Sequence, residues 1–326
     1  MLIMHNENRL NWQVVTLPIP YDLRSVNCYI IEELSGITII DTGDDTEESK
    51  AIWRQVIGQR RVNRVLITHL HIDHFGLAKW FQDEYGATIW MSQRSNDELI
   101  KRRERFAQGM TEDGSLSFLA DYGMVQDKAA SAVFNRFEPF QVQVDVIFSE
   151  QELIEGETFT LQPIWTPGHS SDHYCFYEKE TGVLFLGDHL LEIINPIVMP
   201  STQMQNPLAL YLATFDSLGQ LEINDALPAH GTQIEDFNER VSRLMVHYTD
   251  KCQQILAAIP EEGASAHDIT NQVYAHKPPE LLGAAFIQVI TFVHYLTERN
   301  YLIRKRKGQS YNFYRSNLAN AEPFTL

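Results

Sequence analysis

The chain has 326 residues, 44% of them hydrophobic, so it can bury a large core and is not a disordered chain. Its apolar runs are much shorter than the roughly 20 residues of a membrane helix, which excludes a membrane protein of that type. The formal net charge of -17 repels phosphate backbones and argues against general nucleic-acid binding.

Three cysteines lie far apart in apolar or amphipathic runs, without the spacing of metal ligands: Cys28, Cys175 and Cys252. They are therefore interpreted as buried free thiols in a reducing compartment. The opening sequence MLIMHNENRLNWQ has no basic segment followed by an apolar one, which is the pattern of a secretory signal. A cytoplasmic location is expected.

The predicted elements begin with three β-branched, apolar strands within WQVVTLP, VNCYIIEE and GITIIDTG. The acidic run Asp44 to Glu48 opens an amphipathic helix, and a short strand, Val62 to Thr68, leads into the sequence HLHIDH. A helix that stops at Gly86 and the strand ATIWMS come next. This alternation of strand, loop, helix and strand predicts an α/β fold.

Residues 93–140 interrupt the alternation, because they are polar, helical in pattern and without a clear strand. They are predicted to form an insertion of two or three helices. Two interpretations are open for it, a peripheral packing element and a lid over a functional site, since long insertions often carry function. Strands return from Val142 in VQVDVIF, TFTLQPIWT, HYCFYE and VLFLGD, followed by a helix and the short strand ALPAHG.

A different pattern starts near residue 235, where the sequence predicts a domain boundary. Apolar residues at steps of three and four then predict a long amphipathic helix. Two more helical segments, near 265–275 and 280–299, precede two extended runs around Lys307 and Gly308 that predict a hairpin. This order is typical of a winged helix, so residues 1–235 are predicted as one domain and residues 236–326 as a small winged-helix-like domain.

The motif HLHIDH concentrates ionisable side chains between His69 and His74. In an extended segment alternate side chains point the same way, so His69 and His71 can approach one ion. Asp73 and His74 follow at the turn into a helix and would reach a second point nearby. Imidazole and carboxylate suit Zn, Fe and Mn, and the lack of cysteine here argues against a structural zinc site.

Further ligands are expected at the ends of other strands. Three candidates follow an apolar run and lie beside glycine or proline, where the chain turns and exposes a side chain: His169 in TPGHSSDH, Asp188 in LFLGDH and His230 in LPAHG. A lone histidine in such a position is more often structural. Several of them at matching strand ends favour a metal site.

These motifs, in this order and together with DTG at Asp41 to Gly43, resemble the metallo-β-lactamase superfamily over roughly residues 12–235. The resemblance implies an α/β protein with a four-layer αβ/βα sandwich and a two-metal site at one edge of the packed sheets. The implied ligands form two groups joined by one shared residue: His69, His71 and His169 for a first metal, Asp73, His74 and His230 for a second, and Asp188 between both.

The resemblance also implies roles for residues around the ligands. Asp41 would support the metal loop without touching a metal, as carboxylates commonly orient ligating imidazoles. His173 and His189 do not fit the spacing of the superfamily and are not expected to be ligands. Two Zn²⁺ per chain are expected, with Fe or Mn as alternatives.

The implied activity is that of a metal-dependent hydrolase acting on a small-molecule ester, with thioesters and lactones favoured, as in glyoxalase-II-like and lactonase-like proteins. Two metal ions about 3.5 to 4 Å apart could hold a bridging hydroxide as nucleophile. Asp73 is the candidate for shuttling the proton. No tyrosine follows Asp188 as in many lactonases, and no glutathione site is evident, although Lys101 to Arg105 could bind an anion or form a solvated helix face.

Two other functions are open. Some relatives are nucleases, and RKRK, Arg304 to Lys307, could be the wing of a nucleic-acid-binding winged helix. The acidic charge and the lack of a recognisable inserted nuclease domain argue against this, and the wing could instead pack on the catalytic domain or on the second subunit of a homodimer. A mononuclear-iron dioxygenase shares much of the ligand set, whereas flavodiiron proteins carry a glutamate where His71 stands.

Overall fold

The structure is a computed structural model that describes residues 10–20, 23–108, 119–123, 138–201, 204–278 and 281–326. The chain divides into two compact units. The first contains residues 1–110, 136–196 and 218–237, and the second contains residues 111–135, 197–217 and 238–326. None of the described helices combines the length and apolar character that crossing a membrane requires.

The first unit contains a six-stranded sheet whose strands follow the order of the sequence. Its members are β1 Trp12–Pro18, β2 Ser25–Glu32, β3 Ile37–Ile40, β4 Val62–Leu66, β5 Thr88–Ser92 and β6 Val146–Phe148. β1, β2 and β3 pair antiparallel, and β3 to β6 pair parallel. Parallel neighbours need crossover connections, and helices supply them here.

The crossover helices are α1 Glu47–Ile57 after β3, α2 Ile72–Phe75 and α3 Ala78–Tyr85 after β4, and α4 Gln93–Ala107 after β5. α1 is capped by Thr46, whose side chain accepts a hydrogen bond from the Ser49 N–H, and two glutamates in its first turn favour the start of the helix. α3 ends at Gly86 in a left-handed conformation, as the sequence predicted.

A second sheet in the first unit has five strands, in the order β11-β10-β9-β8-β7. They are β7 Ile154–Glu155, β8 Thr160–Trp165, β9 Tyr174–Glu178, β10 Val183–Gly187 and β11 Asp225–Pro228. Their pairing is antiparallel except between β10 and β11, which are parallel and are connected in sequence through α5 Pro207–Leu218.

Two apolar layers meet along the first sheet, because alternate residues of a strand point to opposite faces. Ile30 of β2 faces a cluster that includes Trp53 of α1. Tyr29, its neighbour, faces a second cluster that includes Phe176 and Phe185 of the other sheet. The first sheet is therefore covered by helices on one side and by the second sheet on the other, which explains why β2 reads as a continuous apolar run.

The predicted helical insertion, residues 93–140, is only partly described. α4 and a 3-10 helix at Glu138–Gln141 lie within it. Residues 109–118 and 124–137 lie outside the described residues. The lid and packing interpretations both stay predictions.

The second unit contains α6 Phe237–Ala257, β12 Ala264–Ser265, α7 Ala266–Val273, α8 Leu282–Glu298, β13 Leu302–Lys307, β14 Ser310–Arg315 and α9 Asn317–Ala321. The hairpin of β13 and β14 is joined by β12 in a three-stranded sheet of order β12-β14-β13. Residues 197–217, which lie before the predicted boundary, also belong to this unit. The boundary near 235 and the winged-helix assignment stay predictions.

Candidate metal centre

The candidate site is built on strand ends of both sheets. β4 ends at Leu66, and the chain then runs through His69 to His71, the N-cap residue of α2. His169 follows β8, Asp188 follows β10 directly, and His230 follows β11. The segment after β4 packs closely on the DTG loop: a Cβ at Gly76 would lie 2.8 Å from the carbonyl oxygen of Gly43, so only glycine fits.

The structure brings the predicted ligand residues together in two groups. Within each group, one potential ligand atom per residue lies within 4.8 Å of all the others: His69, His71, His169 and Asp188 in the first, and Asp73, His74 and His230 in the second. Every residue predicted to hold a metal is in one of these groups, and each group corresponds to one of the two implied sites.

Distances within the first group suit a single ion. His71 Nδ1 lies 2.8 Å from His169 Nε2. Asp188 Oδ2 lies 3.2 Å from the same His169 atom. Two ligand atoms on one tetrahedral Zn²⁺ are about 3.3 Å apart when each lies about 2.0 to 2.1 Å from the ion, so the separation of His169 and Asp188 fits that geometry, while His71 and His169 lie about 0.5 Å closer together.

Asp188 contacts both groups. Besides His169 of the first group, its carboxylate lies 3.5 Å from His74 Nε2 and 3.2 Å from His230 Nε2 of the second. Asp73 Oδ2 lies 3.5 Å from the same atom of His230. One carboxylate is thus shared between two neighbouring clusters, as the resemblance implied.

Hydrogen bonds fix which imidazole nitrogen faces the centre. His230 Nδ1 lies 2.6 Å from the carbonyl oxygen of Ser25, which can only accept, so Nδ1 carries the proton and Nε2 faces the site. His74 Nδ1 donates in the same way to Asp41 Oδ2 at 2.7 Å. The single hydroxyl proton of Thr68 goes to Asp41, at 2.8 Å, so the Thr68 oxygen accepts from His69 Nδ1 at 3.0 Å. Such contacts orient imidazoles for metal binding.

Several atoms at the centre are buried without a hydrogen-bond partner among the described residues: Nε2 of His69, His74 and His230, and Oδ1 of Asp188. A buried polar atom left without a partner costs about 1 to 3 kcal/mol. The three nitrogens belong to imidazoles whose other nitrogen is already occupied. This donor set fits divalent cations, which imidazole nitrogen and carboxylate oxygen bind.

The first group favours neutral imidazoles. Burial, followed by the neighbouring imidazole of His74, lowers the pKa of His69 well below its ordinary value. Burial and the neighbouring His169 lower the pKa of His71 to about 3. Neutral imidazole is the form that binds a metal ion.

The second group concentrates negative charge. Burial opposes the charged form of His74, but the carboxylates of Asp188 and Asp73 outweigh it and raise the His74 pKa well above its ordinary value. Burial is likewise outweighed at His230, where the same two carboxylates, 3.2 and 3.5 Å from Nε2, raise the pKa to about 9. Burial alone would raise the pKa of Asp73, but His74 lowers it to about 2. A bound metal ion would take the place of these imidazole protons.

The peptide between His69 and His71 is held from two sides. The N–H of Leu70 donates to Asp172 Oδ2 at 3.0 Å, and its carbonyl oxygen accepts from Arg102 at 2.9 Å. Arg102 also donates to Glu98, one turn earlier in α4. Asp172 was not predicted from the sequence, where its position within TPGHSSDH was the only signal for this contact.

The basic cluster of α4 is engaged within the protein. Besides the contacts of Arg102, Arg103 donates to the carbonyl oxygens of Phe140 and Val142, and Arg105 contacts Glu98. These contacts use the guanidinium groups to pack α4 on its surroundings. They favour a structural role for these arginines over the anion site considered from the sequence.

A sequence model of the metallo-beta-lactamase superfamily matches residues 21–230. The chain belongs to the metallo-β-lactamase superfamily. The match covers the DTG motif, HLHIDH and the three later ligand positions, so the family resemblance is confirmed.

Named relatives of this chain include lactamase-like proteins and a thioesterase. The chain is 26% identical over 269 residues to the beta-lactamase-like protein 2 homolog of Caenorhabditis elegans, covering 80% of this chain and 75% of that protein. It is 25% identical over 239 residues to an atrochrysone carboxyl ACP thioesterase of Aspergillus aculeatus, covering 73% of this chain and 61% of that one. The chain spans less than two thirds of the length of several such fungal relatives.

A solved structure extends the likeness beyond the family match. The crystal structure of a metallo-beta-lactamase family protein from Thermus thermophilus superposes with a TM-score of 0.77 at 25% identity, covering 94% of this chain and 98% of that one. The predicted metallo-β-lactamase sandwich of the α/β class is therefore confirmed.

Proposed function

We propose that this protein is a metal-dependent hydrolase that cleaves an ester-type bond, with a thioester favoured. The observation that carries the proposal is the pair of ligand groups that share Asp188. We further propose that each group holds one divalent ion, with Zn²⁺ expected and Fe or Mn as alternatives. Bound there, the ions would supply Lewis acidity toward a carbonyl oxygen and make water nucleophilic near neutral pH.

The protein's own residues would divide the remaining work. The imidazoles hold the ions through the nitrogens that Thr68, Asp41 and the Ser25 carbonyl leave facing the centre. Asp73 is proposed to accept the proton that water loses. Its side chain is 15% exposed, against 8% for Asp188, and it is ionised at neutral pH, so it can pass a proton on to solvent.

The thioester preference is supported by the relative that is named as a thioesterase. That protein acts on an acyl carrier protein according to its name, and the match covers only 61% of it. A lactone is the less favoured substrate, because no tyrosine follows Asp188 in GDHLLEIINP.

The basic hairpin gives little support to nucleic-acid binding as the alternative function. Arg306 of β13 pairs with Asp121 at 2.9 Å, and Arg304 donates to the Tyr122 hydroxyl at 3.2 Å. Arg304 also stacks over the ring of Tyr311, 4.5 Å from its centroid. Two of the four basic side chains are thus engaged within the second unit, and we propose a small-molecule substrate instead.

The test combines metal content with a substrate panel. Protein purified without added metal is analysed for metals and assayed on thioesters, lactones, a phosphodiester and for oxygen consumption. About two zinc ions per chain with thioester turnover are expected. One iron per chain with oxygen consumption would replace the hydrolase proposal with a dioxygenase, and steeply salt-sensitive phosphodiester cleavage would replace it with a nuclease.

A matched pair of variants checks the ligand assignment. His71→Ala removes an imidazole of the first group and should lower metal content and abolish turnover. His276→Ala removes an exposed imidazole of the second unit and should change neither. An unchanged rate in His71→Ala would refute the assignment.

A further inference from the structure

We propose that His173 is a positioning residue, which aligns the Asp188 carboxylate between the two ligand groups by holding the Asp188 backbone. The inference rests on the metal centre of the proposed function. It assigns no metal contact to His173. Its basis is the set of hydrogen bonds around a fully buried imidazole that the proposed reaction otherwise leaves unused.

Both nitrogens of His173 have a partner. The backbone N–H of Asp188 donates to His173 Nε2 at 3.0 Å, so Nε2 carries a lone pair and the proton of the neutral ring is on Nδ1. Nδ1 then donates to Thr166 Oγ1 at 2.8 Å. The ring is therefore held at both ends in one tautomer, and it is not available as a metal ligand.

The hydrogen bonds continue in one direction. Because Thr166 Oγ1 accepts from His173, its own proton points to Cys175 Sγ at 3.3 Å. The Cys175 thiol in turn donates to the carbonyl oxygen of Leu186 at 3.4 Å. This series of hydrogen bonds runs from the Asp188 amide through His173, Thr166 and Cys175, and it returns to β10 two residues before Asp188. This closed series of hydrogen bonds fixes His173 in the tautomer that accepts from the Asp188 N–H.

The backbone around His173 ties the same strand ends together. The carbonyl oxygen of His173 accepts from the Thr166 N–H at 3.0 Å, and the N–H of Tyr174 donates to the Thr68 carbonyl at 3.0 Å. Thr68 immediately precedes His69, whose ring centroid lies 4.9 Å from that of His173. His173 therefore connects the segments that carry His69, His169 and Asp188.

Gly187 makes the contact possible. Its φ is 53°, in the left-handed region, and a Cβ there would lie 2.6 Å from His173 Nε2. Any side chain at this position would push the ring away from the Asp188 amide. The absence of a side chain at 187 and the imidazole at 173 together produce the observed approach.

The experiment compares two amide substitutions. In His173→Gln the side-chain oxygen can occupy the position of Nε2 and accept from the Asp188 N–H. In His173→Asn the shorter side chain stays near Thr166 and does not reach Asp188. Zn²⁺ affinity is measured by competition with a chelator, and the absorption spectrum of the Co²⁺-loaded protein reports the ligand geometry.

The Asn variant should bind Zn²⁺ about 10- to 100-fold more weakly than wild type and show an altered Co²⁺ spectrum, the size of effect that residues orienting metal ligands produce. The Gln variant should restore both to within a few-fold. Wild-type affinity in the Asn variant, or equal loss in the Gln variant, would overturn the inference. If the wild-type protein bound no metal, the proposed function would fail first and this inference with it.

A measurement on the wild-type protein covers the case in which both variants fail to fold. In ¹⁵N-histidine NMR of the Zn²⁺-loaded protein, His173 should show a protonated Nδ1 and an unprotonated Nε2. A protonated Nε2 would mean that the ring cannot accept from Asp188, and the inference would be overturned.

Discussion

Replacing Asp41 with asparagine should weaken metal binding through a residue that touches no metal. Asp41 is buried and accepts hydrogen bonds from the Thr68 N–H, the Thr68 hydroxyl and His74 Nδ1, at 2.9, 2.8 and 2.7 Å. Its φ is 58°, which asparagine adopts as readily as aspartate, so Asp41→Asn leaves the backbone unperturbed. The variant changes one carboxylate oxygen into an amide donor.

The cost follows from counting donors and acceptors. With an NH₂ group in place of either oxygen, at least one of the three donors faces another donor, which costs about 1 to 3 kcal/mol at a buried site. If the NH₂ group takes the position of Oδ2, His74 relieves the conflict by moving its proton to Nε2, the atom that faces the centre; if it takes the position of Oδ1, it faces the Thr68 N–H and displaces the segment that carries His69. At about 1.4 kcal/mol per tenfold change, the expected loss of metal affinity is about 10- to 100-fold.

The assay measures Zn²⁺ affinity and the free energy of unfolding for Asp41→Asn beside Asp83→Asn. Asp83 is 61% exposed and pairs with Lys79 on the surface of α3, where such a pair contributes well under about 1 kcal/mol. The control should match wild type in both measurements. Wild-type affinity and stability in Asp41→Asn would refute the view that its carboxylate orients His74.

Gly187→Ala should lower the free energy of unfolding more than Gly58→Ala does. Both glycines have positive φ, but a Cβ at Gly187 would lie 2.6 Å from His173 Nε2, whereas a Cβ at Gly58 would meet nothing within 4 Å. Equal losses in chemical denaturation would contradict this. Ser265→Ala removes the capping box of α7 and should cost about 0.5 to 2 kcal/mol with metal content unchanged. Hydrogen bonds from Ser265 lower the pKa of Asp268 in the folded protein. The stability difference between wild type and Ser265→Ala should therefore be complete above about pH 4 and should fade as the pH falls through the lowered pKa of Asp268. A constant difference in denaturation at several pH values would argue against the cap. Chelation should lower the unfolding temperature reversibly, because a ligand at 100 times its dissociation constant raises the free energy of unfolding by about 2.7 kcal/mol. No shift of the unfolding temperature in calorimetry would mean that no metal stabilises the folded protein.

The positions of the candidate ligands were predictable because their signals are local. His169, Asp188 and His230 each follow an apolar run beside a glycine or proline, and such residues mark the point where a buried strand ends and the chain turns. The alternation of strand and helix placed these ends along the chain. The grouping of the ligands into two clusters came from the family resemblance, because spacing alone does not say which strand ends meet.

The supporting contacts were not predictable, because they join residues that are distant in sequence. Asp172 and Leu70 are 102 positions apart, and His173 contacts the backbone of Asp188 rather than its side chain. Backbone partners leave no residue-type signature at the accepting or donating position. A single sequence therefore reveals the candidate ligands more readily than the residues that orient them.

Side-chain contacts also explain why one strand is shorter than predicted. The run VQVDVIF predicted a strand from Val142, but β6 begins at Val146. Before it, Gln82 exchanges hydrogen bonds with the backbone of Gln143, and the Asp145 carboxylate accepts from the Ile89 N–H. Side chains thus take the place of strand pairing at Gln143 and at the Ile89 N–H, although the Asp145 N–H still donates to the Ile89 carbonyl oxygen at 2.9 Å.

The distribution of ligands over both sheets has a consequence for how the protein matures. His71 and His169 lie in contact although they are 98 positions apart, and His230 comes later still. Contacts of such long sequence separation form slowly, because the entropy of closing the intervening loops opposes them. During synthesis, the segment from His69 to His74 therefore leaves the ribosome well before the residues that complete either cluster, and neither cluster can assemble before its last member, Asp188 or His230, has been synthesised.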